Sequence, residues 1–183
     1  SGGHVIRVAA DRDDVRAVIA LTPLTDAVAT ARGILGQYRL SAAGRATVDG
    51  VVSRVAVARG RTPVLMPVVA RPGEPGGLTL AGAYENYHAI AGPTWRNEVD
   101  AAVGQEVMKI RTKSYAKRLR ARLLVQIADF DNYVPPDAVA RTAEYGRGWV
   151  HHYPCDHFDV WPGLDWFDRA SSDQVAFLRK VFG

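Results

Sequence analysis

The residues best placed for acid–base chemistry are Asp131 and His157. An apolar run over residues 123–127 leads into Ala128-Asp129-Phe130-Asp131-Asn132-Tyr133-Val134-Pro135-Pro136. A second, β-rich run over residues 149–153 leads into Pro154-Cys155-Asp156-His157-Phe158-Asp159. An acid thus sits just past one strand, and a histidine just past the next. In a parallel sheet the loops after the strands open on one edge, where ligands bind. An imidazole there can face a nucleophile with one nitrogen and an orienting acid with the other. Such a pair is the orienting half of a nucleophile–histidine–acid triad. The third member should come earlier in the chain, which opens Ser1-Gly2-Gly3-His4.

Neighbouring residues compete for these roles. Asp131 lies in a turn clamped by Pro135-Pro136, the rigidity that an orienting acid needs. Asp129 shares its face in an extended segment, so spacing leaves both carboxylates open. Aspartate is also ordinary in turns and caps, which applies to both positions. His151 and His152 are adjacent in a strand and point to opposite faces, which suits structural roles and prevents joint metal binding. With Cys155 and His157 they superficially resemble a metal cluster, but no second cysteine exists to complete it. Neither a metal nor an organic cofactor is expected.

The surrounding pattern supplies the elements that must hold this pair. Residues 4–10 read as a helix, 15–21 as a buried strand ending at Thr22-Pro23, and 26–60 as two or three helices. Residues 64–69 and 78–80 flank a Pro/Gly-rich turn and predict a hairpin. A helical pattern returns over 84–118, with a break at Gly92-Pro93. Residues 123–127 form a second buried strand, 136–146 a helix with proline at its start and glycine at its end, and 149–153 a third strand. A terminal helix is predicted over 171–182, capped by Ser171-Ser172-Asp173, with Val175, Leu178 and Val181 on one face.

Composition narrows the class. The 183 residues are 48% hydrophobic and 23% charged, ordinary globular values. The net charge of +4 is spread over scattered arginines, so no nucleic-acid partner is expected. The densest basic stretch, residues 109–122, reads as a solvated helix face rather than a phosphate-binding patch. The single cysteine, Cys155, excludes an internal disulfide and fits a reducing, cytoplasmic setting. No apolar run reaches the roughly 18 residues of a membrane span. The opening residues fall at a helix entrance, so the chain reads as a fragment of a longer protein.

The order of strand, Asp131 with Val134-Pro135-Pro136, helix, strand and His157-Phe158-Asp159-Val160 resembles the C-terminal half of α/β-hydrolases. In that family the acid follows the seventh strand and the histidine the eighth. Residues 15–21 then match the sixth strand, and 22–122 a cap inserted before the seventh. Trp95-Arg96-Asn97-Glu98-Val99 and residues 115–124 look like capped, lysophospholipase-like or esterase-like bacterial members. The resemblance implies an α/β fold: parallel strands of a hydrolase core, flanking helices, an inserted mostly helical cap, and missing first strands. It divides the chain into residues 1–22, 23–118 and 119–183.

Ser1-Gly2-Gly3-His4-Val5 resembles the end of a nucleophile elbow, Gly-x-Ser-x-Gly. Two registers stay open. Ser1 is the nucleophile with Gly3 as the small residue, or Ser1 is itself that small residue and the nucleophile lies two positions upstream. Only the first makes the Gly2 N–H an oxyanion donor. An N-terminal-nucleophile hydrolase is set aside, because its antiparallel sandwich does not match this pattern. The resemblance implies a serine hydrolase acting on an ester or other acyl substrate through Ser1, His157 and Asp131. Tyr84, Tyr87 and Trp95 of the cap suggest an apolar acyl group. The alternatives are a peptidase of the same superfamily or a non-catalytic interaction module. Self-association through the exposed edge of strand 15–21 is also expected.

Overall fold

A computed structural model describes residues 2–34 and 40–183. In chain order the elements begin with α1 (Gly2–Ala10), β1 (Ala17–Leu21), α2 (Ala27–Ile34), α3 (Leu40–Ala58), β2 (Leu65–Met66) and α4 (Ala83–Ala89). They continue with β3 (Val99–Asp100), α5 (Val103–Val107), α6 (Lys113–Arg118), β4 (Arg122–Ala128), α7 (Pro136–Tyr145), β5 (Trp149–Tyr153) and α8 (Phe167–Phe182). They fall into two compact units, Ser1–Gly33 with Ile110–Gly183, and Ile34–Lys109.

The first unit is built on a parallel sheet of order β1-β4-β5. Its central strand, β4, is buried from Leu123 to Ala128. Parallel sheets covered on both faces require such continuous apolar runs. Gln126 interrupts the run and is fully buried, so its amide must be satisfied internally. Its Nε2 donates to the Tyr153 hydroxyl at 2.6 Å and to the Ala170 carbonyl at 2.9 Å. Its Oε1 accepts from Gln174 Nε2 at 2.7 Å. The Tyr153 hydroxyl donates to Asp173 at 2.9 Å, and burial pushes this phenol well above its ordinary range.

That polar network sets the register of α8 and corrects two expectations. The helix starts at Phe167, so Ser171, Ser172 and Asp173 lie inside it rather than capping it. Its buried residues are Ala170 and Phe177, whereas Val175 and Leu178 are 47% and 37% exposed. Ala170, Asp173, Gln174 and Phe177 share one helical face. That face satisfies Gln126 and Tyr153, and it seats the Phe177 ring edge-on to Trp149 with centroids 5.4 Å apart.

In the second unit β2 pairs antiparallel with β3, Leu65 opposite Asp100 and Met66 opposite Val99. The hairpin expected between residues 64–69 and 78–80 is not formed. Val69 and Leu78 make an isolated parallel bridge instead. Pro67 cannot donate to a ladder, and a Cβ on Gly76 would come within 2.9 Å of the Ala70 side chain. The Asn97 amide stands in for a strand partner, bonding the Val69 N–H at 2.9 Å and the Val69 carbonyl at 2.8 Å. Buried Ser53 of α3 donates to Asp100 at 2.6 Å and accepts the Val64 N–H at 3.0 Å. Among the described residues, no helix is long and apolar enough to cross a membrane.

Candidate active site

The exits of β1, β4 and β5 lie on one edge of the parallel sheet, as strand direction requires. Two loops there bring Asp131 and His157 together. His157 Nδ1 lies 2.7 Å from Asp131 Oδ2. Asp131 is only 3% exposed and His157 15%. The other carboxylate oxygen, Oδ1, accepts the backbone N–H groups of Tyr133 at 2.7 Å and Val134 at 2.8 Å. The turn entering Pro135-Pro136 therefore fixes one oxygen and aims the other at the ring. An ionised carboxylate only accepts, so a neutral imidazole in this contact donates from Nδ1 and presents Nε2 as its free acceptor.

A second set of contacts joins the two loops. Asn132 donates its backbone N–H to Asp156 Oδ1 and its side-chain Nδ2 to Asp156 Oδ2, both at 3.1 Å. Asp156 Oδ1 also accepts the His157 N–H at 2.7 Å, and Asp159 Oδ2 accepts the Asp156 N–H at 2.9 Å. The imidazole packs against Tyr133 and Phe158, with ring centroids 5.2 and 4.9 Å away. Asn132 and Asp156 escaped the sequence reading. Their only signal was adjacency, a polar side chain directly beside each candidate residue.

The other candidates go elsewhere. Asp129 does not approach His157. Its Oδ1 lies 2.6 Å from His152 Nδ1, and this pair is open to solvent, 37% and 54% exposed. His151 turns to the opposite side and pairs with Asp173 at 3.0 Å. Among the described residues, no group of three or more His, Cys, Asp or Glu side chains could hold a metal ion. Cys155 is buried, and its thiol is pushed up to about 11 by desolvation and then by Asp159, Asp129, Asp156 and Asp131. A thiol so protonated is a poor nucleophile at neutral pH.

Ser1 lies outside the described residues. The next two residues explain why glycine follows it. A Cβ on Gly3 would stand 2.0 Å from the Leu24 carbonyl oxygen, and one on Gly2 would stand 2.7 Å from Pro23 Cβ. The entrance of α1 is thus pressed against the exit of β1, on the acid–histidine edge of the sheet. Thr22, at the end of β1, has φ of +36°, a conformation a β-branched residue rarely adopts and one that cores and sites hold only under constraint. Of the residues expected to contact substrate, Tyr84 stacks on His88 at 4.1 Å, and His88 meets Trp95 edge-on at 5.1 Å. Tyr87 is half-buried, which raises its phenol above the ordinary value.

No protein-family model matches the chain. It is 27% identical over 183 residues to the quorum-quenching protein AidA of Acinetobacter baumannii, covering 98% of this chain and 59% of that protein. The α/β hydrolase GrgF of Penicillium sp. superposes with a TM-score of 0.73 at 17% identity, over 99% of this chain and 61% of its own. DcsB, in complex with a substrate analogue, gives 0.72 at 18% identity, over 100% and 62%. The monoacylglycerol lipase of Paleococcus ferrophilus gives 0.63 at 18% identity, over 97% and 64%. The chain has the α/β-hydrolase fold and spans about three-fifths of the length of these relatives.

Proposed function

We propose that the chain belongs to a serine hydrolase acting on an ester or other acyl compound, with His157 as general base and Asp131 as its orienting acid. The observation that carries this reading is the 2.7 Å contact between His157 Nδ1 and a carboxylate whose other oxygen is fixed by two backbone N–H groups. A buried, pre-aimed acid favours one imidazole tautomer and stabilises the imidazolium that forms during catalysis. The esterase and lipase names among proteins of the same fold agree with an acyl substrate.

In this reading His157 Nε2 removes the proton from a serine hydroxyl as its oxygen attacks the acyl carbonyl. The tetrahedral adduct collapses to an acyl-enzyme, and the imidazolium returns the proton to the leaving alcohol. Water, deprotonated by the same nitrogen, then releases the acid. The serine is Ser1 or the residue two positions before it. In the same reading, residues 23–118 are a cap whose Tyr84, Tyr87 and Trp95 favour an apolar acyl group.

The test is hydrolysis of short-chain aryl esters by the complete gene product. His157→Ala should lower kcat/KM by roughly a thousand-fold or more, because the base acts in every proton transfer. Ser1→Ala separates the registers: it abolishes turnover if Ser1 is the nucleophile and changes little if Ser1 is the small residue after it. Full activity in His157→Ala would overturn the reading.

A further inference from the structure

The basic stretch over residues 109–122 does not spread its charge evenly into solvent. Arg118 pairs with Asp11 at 3.0 Å, and Arg120 pairs with Asp13. Lys113 and Lys117 behave differently. Both ammonium groups stand over one ring, Tyr145 at the end of α7, at 4.5 and 4.9 Å from its centroid. They line a cavity of about 440 Å³ whose other cations are Arg111 and Arg141. The cavity's buried wall is threonine-rich, with Thr25 only 1% exposed.

Four cations thus meet a single carboxylate among the lining residues, Asp26. That carboxylate lies 3.8 Å from Arg111, and it is already engaged in capping α2, accepting the N–H groups of Val28 and Ala29. Two like charges over one ring, beside two guanidiniums, repel one another until an anion joins them. A second observation points the same way. Thr25 Oγ1 is buried with no hydrogen-bond partner among the described residues, although such groups are almost always satisfied. The field is felt locally as well: hydrogen bonding and charge from Lys113, then charge from Lys117, hold the Tyr145 phenol below its ordinary value, against desolvation and, more weakly, Glu144.

We propose that this cavity is an oxyanion site for a phosphate dianion, free or carried on a small organic monoester, built from residues other than the Asp131–His157 pair. A net excess of positive charge favours a dianion over a single carboxylate, and paired guanidinium and ammonium donors suit phosphate oxygens. The volume lies in the range of small-molecule sites and leaves room for a substituent beyond the phosphate. The site shares no residue with the acid–histidine pair, so each can fail alone.

Inorganic phosphate and phenyl phosphate are titrated into the full chain at constant ionic strength. Binding is followed by lysine side-chain NMR and by ultraviolet titration of Tyr145. Saturable binding is expected, together with a rise of the Tyr145 phenol toward its ordinary value as the anion offsets the lysines. Tighter binding of phenyl phosphate identifies a monoester site, and equal binding a site for free phosphate. The double variant Lys113→Met/Lys117→Met should bind at least about tenfold more weakly, because two charge-assisted contacts are removed. Lys113→Arg/Lys117→Arg keeps the charge and should retain binding, as should Lys180→Met on α8. The proposal is overturned if no saturation is seen at matched ionic strength, if the double Met variant binds as tightly, or if only long polyanions such as heparin bind.

Discussion

Two aspartate–histidine pairs join the ends of β4 and β5, one with its histidine in the loop after β5 and one with its histidine, His152, still inside the strand. Asp131–His157 and Asp129–His152 have nearly the same separation, 2.7 and 2.6 Å. They differ in everything else. Asp131 is almost fully buried and has its second oxygen fixed by two backbone N–H groups, whereas Asp129 and His152 stand in solvent. An exposed pair is screened by water and contributes about 0–1 kcal/mol. A buried one, held in a single geometry, can control a tautomer. Contact distance therefore says little about chemical capacity; the fixing of the carboxylate and the exclusion of water say more.

The comparison can be broken most sharply at the bases. Alongside the large loss expected for His157→Ala, His152→Ala should leave ester hydrolysis within about twofold, as for a surface pair. The acids come next. Asp131→Asn should cost between about a hundred- and ten-thousand-fold in kcat, because an amide can hold the imidazole in the wrong tautomer. Asp129→Asn should be close to neutral. Equal losses in both acid variants would erase the distinction between the pairs.

A smaller effect should come from the clamp between the loops. Asp156→Ala removes the acceptor that holds both Asn132 and the His157 backbone. A displacement of the imidazole by a fraction of an ångström to one ångström should lower kcat by roughly ten- to a hundred-fold, with KM little changed. Asp156→Asn keeps the Oδ1 acceptor and should recover most of the loss. Recovery no better than Asp156→Ala would show that the charge, and not the clamp, matters.

The smallest effect is on Cys155, which feels carboxylates of both pairs. With its thiol near 11, the thiolate fraction stays small through neutral pH and grows only as pH approaches that value. Alkylation by iodoacetamide at pH 8 should be slow in the folded chain and fast after denaturation. Asp129→Asn and Asp131→Asn should each lower the thiol slightly. Rapid labelling of folded chain at pH 8 would contradict the burial described for this loop.

The parallel strands and the α7 helix were legible because their signals are local: continuous apolar runs of strand length, and proline and glycine at the two ends of a helix. Asp131 and His157 were legible as strand-exit residues. Asp131 was favoured by the turn clamped at Pro135-Pro136, and Asp129 stayed open as its competitor because the two share a face; the bonds from Tyr133 and Val134 that fix Asp131 are a matter of three-dimensional geometry. The start and inward face of α8 were not legible. They depend on a buried glutamine one strand away and on the hydroxyl of Tyr153, contacts that hydrophobic periodicity ignores. The hairpin failed for a similar reason, because residues 65–66 found their partners at 99–100, far along the chain.

The most direct test of the central claim is histidine NMR on the chain itself. An Nδ1–H held between an imidazole and a buried carboxylate is shifted far downfield and exchanges slowly with water. One such resonance, belonging to His157, is expected at neutral pH. It should vanish in Asp131→Asn and persist unchanged in Asp129→Asn, while the His152 proton exchanges too fast to be seen. A protected downfield proton assigned to His157 that survives Asp131→Asn, or that is lost in Asp129→Asn, would contradict Asp131 as the orienting acid.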